Sequence, residues 1–183
     1  LSINFRKWSN TYPHVGYGTL YKEFVRTGLA QDSKGNGGAM RVAPCAIVAK
    51  SLEETLMQAE EQCKITHTNS IAIDGAKAIA AAVFIAKNER EKGTSIADIK
   101  EKIKSYIEEN FDYNLGMSLQ EIQTRSMELA AQRDEFRRTG KMSSTYMNMS
   151  SASLSCPMAI TAFLLGENYE EVIRCAIAMM GDV

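Results

Sequence analysis

Residues 70–92 read SIAIDGAKAIAAAVFIAKNEREK, a stretch that is apolar on nearly every side of a helix. Its apolar residues recur at helical spacing at Ile71, Ala72, Ala76, Ile79, Ala80 and Val83. Residues 78–82 fill the opposite side with small side chains. A helix of this kind is buried among other helices rather than laid on a surface. We therefore predict a central helix from Ser70 to about Lys92, ended by Gly93.

Capping signals around this stretch predict further helices. Serine or asparagine precedes each further helical segment that we predict, at Ser51, Ser95, Ser118 and Asn168. These helices span residues 52–64, 96–110, 119–138 and 169–180. Prolines at 13, 44 and 157 all lie near predicted helix boundaries. No run alternates apolar and polar residues for long enough to form a strand. The predicted fold class is all-α, a compact multi-helix domain over residues 1–183.

Two neighbouring segments interrupt the helical pattern. Residues 139–155 are rich in Ser and Met and lack periodicity, so we predict a flexible loop there. The helix before this loop is unusually polar. Together they form a polar insertion over about residues 124–155, to which the sequence assigns no role.

Composition excludes several classes of protein. The 183 residues carry 21 basic and 22 acidic side chains, so no basic field is available for nucleic acid or an anionic membrane. No apolar run approaches the ~20 residues that span a bilayer. The four cysteines, at 45, 63, 156 and 175, lack metal-ligand spacing and fit reduced core thiols. We expect a cytoplasmic protein.

A glycine-rich segment precedes the central helix. Residues 35–44 read GNGGAMRVAP, in which glycine permits positive φ or close approach to the backbone. A turn of this kind at the start of a helix presents backbone N–H groups to a phosphate. The same composition also suits a tight turn between helices that binds nothing. The residues alone leave both interpretations open.

Several blocks of the sequence occur in the order found in a known family. They are YPHVGYG at 12–18, GNGGAMRVAP at 35–44, TH at 66–67, PMAITAFL at 157–164, YEEVIRCAI at 169–177 and GD at 181–182. In this order they resemble the ADP-ribosylglycohydrolase family, and within it the dinitrogenase-reductase-activating-glycohydrolase-like branch. The resemblance covers nearly the whole chain. It implies a compact helical fold and the removal of ADP-ribose from modified targets with a pair of magnesium ions.

The resemblance also implies a set of substrate-binding residues. The loop would cradle the pyrophosphate of ADP-ribose through Ser33, Lys34, Gly35, Asn36 and Gly37. Asn36 would fix the loop or contact the distal ribose, and His67 would contact the bound nucleotide. Lys34 stands where relatives have Tyr, so it offers a charge in place of an aromatic face. The segment that begins at His67 reads HTNS, where the branch usually has His-Asn-His-Pro.

Two further residues are interpreted separately from this set. Arg41 matches the family and fits a structural role, because its neighbours Met40 and Val42 look core-like, although a contact with phosphate is the alternative. His14 is interpreted as structural. Neither residue is counted among those that bind the substrate.

The metal motifs of the family are mostly outside this sequence. Relatives carry a Thr-Asp-Asp motif upstream and an Asp-x-Asp-Thr/Ser motif downstream, and Asp182 matches the first aspartate of the second motif. The resemblance makes Asp182 a magnesium ligand and places the catalytic residues in the missing segments. We therefore expect the sequence to be an internal portion of a longer protein.

Three functions are compatible with these observations. The first is hydrolysis of an ADP-ribosyl glycosidic bond on a modified protein or small molecule, with a dinuclear magnesium site. The second is a catalytically inactive module of the same fold that binds ADP-ribose or a nucleotide. The third is a helical scaffold without a small-molecule site.

Overall fold

The computed structural model describes residues 1–141 and 150–178, and no strand is found among them. The helices are α1 (Ser2–Thr11), α2 (Thr19–Thr27), α3 (Ala43–Val48), α4 (Leu52–Lys64), α5 (Ser70–Glu91), α6 (Ile96–Asn110), α7 (Leu119–Thr139), α8 (Ala152–Leu165) and α9 (Tyr169–Ala178), with a 3₁₀ turn at Ala39–Arg41. The predicted all-α class is confirmed. None of these helices is both long and apolar enough to cross a membrane.

Helix α5 is the centre of the molecule, as the sequence predicts. It contacts α3, α4, α6, α8 and the 3₁₀ turn. Small side chains on α5 let these neighbours approach closely, since a Cβ atom at Gly75 would lie 2.7 Å from Ala152 Cβ and 2.9 Å from Cys156 Sγ. The core on one side of α5 contains Val42, Ala59, Cys63, Ala72, Ala76 and Ala80. The core on the other side contains Ala78, Ala81, Ile99, Ile103, Ile107, Leu115 and Ile160.

The predicted helix caps are confirmed. At α4, α6, α7 and α9 the capping side chain accepts a hydrogen bond from a backbone N–H of the first turn, in the pairs Ser51 with Glu54, Ser95 with Asp98, Ser118 with Glu121 and Asn168 with Glu171. Glu121 also accepts from the Ser118 N–H at 2.7 Å, which completes a capping box. Asn69 caps α5 by accepting from the Ile71 N–H at 3.1 Å.

The boundary of the predicted loop at 139–155 requires a correction. Helix α7 extends to Thr139 and α8 begins at Ala152, so residues 152–155 are helical. Residues 142–149 lie outside the described part of the chain. Serines at 153 and 155 obscure the helical pattern, but Ala152 and Cys156 are four apart and both pack on Gly75. Pro157 consequently lies inside α8 and not near its boundary.

The cysteines form no disulfide. Cys63 and Cys156 are buried, as expected of core thiols, whereas Cys45 and Cys175 are half-buried. Burial raises the pKa of Cys63 to about 11 and that of Cys156 to about 12. Both buried residues are therefore protonated, unreactive thiols at neutral pH.

Candidate functional site

The chain that leads into the glycine-rich loop lies beside the segment before α5. The Gln31 N–H donates to Thr66 O at 3.0 Å, and Gln31 O accepts from the Thr68 N–H at 2.9 Å. The Asn69 side-chain amide donates to an Asp32 carboxylate oxygen at 2.8 Å. Because Asn69 also caps α5, these bonds fix one side of the loop to the start of the central helix.

The other side of the loop pairs with the start of α8. The Asn36 N–H donates to Ser150 O, and Lys34 O accepts from the Ala152 N–H, both at 2.8 Å. The Asn36 side-chain amide donates to the Ser155 hydroxyl on α8 at 3.1 Å. The geometry thus supports the loop-fixing role of Asn36. Its contact with a ribose stays a prediction.

Close packing, and not backbone conformation, requires glycine in this loop. None of Gly35, Gly37 and Gly38 has a positive φ. A Cβ atom at Gly38 would overlap Cys63 Sγ, and one at Gly37 would lie 2.9 Å from His67 Cε1. The loop continues into the 3₁₀ turn and the 6-residue helix α3, not directly into a long helix. Its backbone therefore lies against the His67 ring.

His67 is almost fully buried beside the loop, with 7% of its surface exposed. Its Nδ1 lies 2.7 Å from Thr66 Oγ1, while the Nε2 and Cε1 edge of the ring faces Gly35 and Gly37. Burial, and secondarily the charge of Arg41, lowers the pKa of His67 to about 4. The imidazole is therefore neutral at physiological pH and acts as a hydrogen-bonding group rather than a cation.

Arg41 links His67 to helix α4. Its Nε donates to Gln62 Oε1 at 2.8 Å, and its Nη2 donates to Gln62 O at 3.1 Å and to Thr66 Oγ1 at 2.7 Å. The guanidinium carbon lies 4.8 Å from the centre of the Phe5 ring. No carboxylate within residues 1–141 and 150–178 forms an ion pair with Arg41. Its positive charge is consequently not neutralised by an acidic side chain there.

One premise of the sequence interpretation of Arg41 is wrong. Met40 is 80% exposed and borders an open pocket, although its neighbour Val42 is fully buried as expected. The reason is that the 3₁₀ turn directs Val42 into the core beside α4 and α5, whereas Met40 points away from it. Arg41 anchors Gln62, which agrees with the structural role, and it also borders the pocket. Its contact with phosphate stays a prediction.

The open pocket beside the loop has a volume of about 670 Å³. All of the residues predicted to bind the substrate line it, namely Ser33, Lys34, Gly35, Asn36, Gly37 and His67. Arg41 and Thr66 lie deeper in the same wall, and no acidic residue is part of the lining among the residues that the structure describes. Lys34 is exposed at the rim. The pocket therefore has a positive charge and suits an anionic ligand.

An aromatic wall of the pocket was not identified from the sequence. It is formed by Phe5 of α1 and by Tyr17 and Tyr21 of the α2 region, whose rings lie 5.1 Å apart. The signal was present in the YPHVGYG block, but only the fold shows that this block faces the loop. His14, from the same block, is exposed and does not line the pocket.

Comparison with known proteins gives the family. A family model of ADP-ribosylglycohydrolases matches residues 3–183. The chain belongs to the ADP-ribosylglycohydrolase family. An uncharacterized protein of Archaeoglobus fulgidus is 27% identical over 161 residues, which are 87% of this chain and 47% of that protein. The chain thus spans about half the length of the curated relative that it matches. The family is one of glycohydrolases.

The described residues were searched for clusters of metal-binding side chains. No group of three His, Cys, Asp or Glu side chains converges within residues 1–141 and 150–178. A two-metal site needs several converging carboxylates, and the pocket wall offers hydroxyl, amide and basic groups instead. Asp182, the predicted metal ligand, lies outside the described residues.

Proposed function

We propose that this protein hydrolyses an ADP-ribosyl glycosidic bond and that the pocket beside residues 33–37 holds the ADP-ribose portion of the substrate. The observation that carries the proposal is the pocket itself, which joins the glycine loop to two basic side chains, Lys34 and Arg41, without an acidic neighbour in its described lining. A pyrophosphate carries negative charge on closely spaced oxygens, so it matches a pocket of this composition.

The loop supplies directed donors for that pyrophosphate. Gly37 lines the pocket, and no acceptor among the described residues bonds to its N–H. The His67 Nε2 edge lies against the same glycine, and Lys34 stands at the rim as a mobile point charge. These groups bind and orient the ligand. Cleavage of the bond is assigned to groups outside the described lining.

The aromatic wall suits the base of the nucleotide. Tyr17 and Tyr21 both line the pocket, and their ring centroids lie 5.1 Å apart. Stacking of a base on an aromatic side chain is worth about 1–3 kcal/mol. In this protein these rings would supply the aromatic face that is lost where Lys34 replaces the tyrosine of related sequences. The ligand would then span the pocket from the aromatic wall to the loop.

Magnesium dependence is part of the proposal. The family resemblance assigns Asp182 as one ligand of a pair of ions, and the remaining ligands would come from residues outside those described. The substrate would be an ADP-ribosylated protein or small molecule, with no requirement for nucleic acid or a membrane.

The experiment measures release of ADP-ribose by the full-length protein from arginine-linked and serine-linked ADP-ribosyl peptides, with magnesium and with excess EDTA. We expect release from one linkage, abolished by EDTA and restored by added magnesium. Turnover that is unchanged in EDTA would contradict the metal requirement. Binding of ADP-ribose without turnover on any substrate would favour the alternative, an inactive binding module of the same fold.

A further inference from the structure

The hydrogen bonds behind the loop form one continuous network that ends in the pocket. Arg41 Nη2 lies 2.7 Å from Thr66 Oγ1, which lies 2.7 Å from His67 Nδ1. Thr66 is 2% exposed, so its hydroxyl has little access to bulk water. At the opposite edge of the imidazole, Nε2 borders Gly35 and Gly37 in the pocket wall.

The donors and acceptors of this hydrogen-bond network fix the positions of its protons. A guanidinium group donates and never accepts, so Thr66 Oγ1 accepts from Arg41. The threonine hydroxyl hydrogen then needs an acceptor, because a buried donor without a partner costs about 1–3 kcal/mol. Among the described residues the acceptor bonded to it is His67 Nδ1. A histidine whose Nδ1 accepts is neutral and carries its hydrogen on Nε2.

Arg41 is well placed to hold this arrangement. Its Nε and Nη2 both bond to Gln62, and the Gln62 side-chain amide donates in turn to Gly38 O at 2.9 Å. The Phe5 ring covers the guanidinium at 4.8 Å. Gln62 is itself buried, at 7% exposure. The orientation of the arginine is thus fixed by α4, the loop and α1 together.

We propose that Arg41 and Thr66 are positioning residues that hold His67 in its Nε2–H tautomer, so that the imidazole presents a fixed donor to an anionic oxygen of the ligand. The identity of that ligand as ADP-ribose rests on the proposed function. The arrangement of protons does not, because it is set by residues of the protein alone.

The chain contains 2 histidines, His14 and His67, which makes the tautomer directly measurable. In protein labelled with ¹⁵N-histidine and free of ligand at neutral pH, we expect the His67 proton on Nε2, with His14→Gln giving the assignment. Thr66→Val preserves the shape of the side chain but removes the hydroxyl, and should shift His67 toward the Nδ1–H form. Thr66→Ser should restore the Nε2–H form. Thr68→Val, which removes an exposed hydroxyl nearby, is the control and should change nothing.

Calorimetric titration of the same proteins with free ADP-ribose supplies the second measurement. Thr66→Val should weaken binding roughly tenfold, and Thr66→Ser should bind nearly as the wild type does. An Nδ1–H tautomer in the wild type would overturn the proposal, and this result needs no variant to fold. A folded Thr66→Val with an unchanged tautomer would also overturn it. The expected tautomers without ADP-ribose binding would support the positioning role and contradict the proposed function.

Discussion

His67 makes the stability of the protein respond to pH. Burial and the charge of Arg41 lower its pKa from the ordinary 6.5 to about 4. Between these two pH values the unfolded chain binds a proton that the folded chain does not, so stability is complete above the higher value and is lost as the pH falls. We expect this residue to remove up to about 3 kcal/mol from the free energy of unfolding in urea between about pH 7 and pH 4.

The matched comparison is His67→Gln, in which every carboxylate titrates as in the wild type. The stability difference between wild type and variant should become smaller as the pH falls through this range. A difference that stays constant from about pH 7 to pH 4 would show that His67 titrates normally in the folded protein.

Asn36 has two possible contributions to binding, and one pair of substitutions separates them. Asn36→Ala removes the bond to Ser155 and should weaken ADP-ribose binding by about 1–3 kcal/mol. Ser155→Ala removes the same bond from α8, outside the pocket. Because the geometry supports the loop-fixing role, calorimetry should show similar losses in the two variants. A loss with Asn36→Ala alone would show that Asn36 contributes to binding through more than its bond to Ser155, and wild-type affinity in both would contradict a role of this bond in binding.

At the scale of elements, the glycine loop and α4 pack without space between them. Gly38→Ala would place a Cβ atom on Cys63 Sγ, and overpacking of this kind costs about 1–3 kcal/mol. We expect a lower urea midpoint and weaker ADP-ribose binding, because the displaced backbone includes Gly37. Cys63→Ala removes the sulfur atom that this Cβ would meet. The loss of stability in the double variant, Gly38→Ala with Cys63→Ala, should therefore be smaller than the sum of the losses in the two single variants. Strictly additive losses would contradict this packing.

Local signals made part of the fold predictable. Helices α4, α6 and α7 carry their own caps and, in α6, an isoleucine face, so their positions follow from neighbouring residues. The start of α8 was missed because its helical pattern is explained only by contact with Gly75, which is distant in sequence.

The candidate site, like the fold, was predictable only in part. Residues 33–37 and His67 came from the resemblance, and the structure places them in one pocket. The aromatic wall and the bonds from Arg41 to His67 could not be predicted, because they join segments such as α1 and the 3₁₀ turn that are far apart along the chain. The sequence also left open whether the loop glycines are needed for positive φ or for close packing, because that depends on the side chains of His67 and Cys63 that lie against them.

In the whole molecule, the pocket lies where separate parts of the chain meet around one end of the central helix. The α1–α2 region, the loop, the segment before α5 and Ser150, two residues before the start of α8, each contribute to its wall. Its shape therefore depends on the assembled fold, and its charge on two residues, Lys34 and Arg41, that no described acidic side chain neutralises. The shape and the positive charge of the pocket are the physical basis for the proposal that it binds an anionic nucleotide.

Titration of the protein with ADP-ribose in a calorimeter decides whether this pocket is the ligand site. We predict binding of one molecule per chain, weakened by salt because an exposed charge contributes. Lys34→Gln should reduce the affinity roughly 3-fold to 10-fold, while Lys50→Gln, which removes an exposed charge outside the pocket, should leave it unchanged. Absence of binding, or an affinity that Lys34→Gln and Asn36→Ala both leave at the wild-type value, would contradict the assignment.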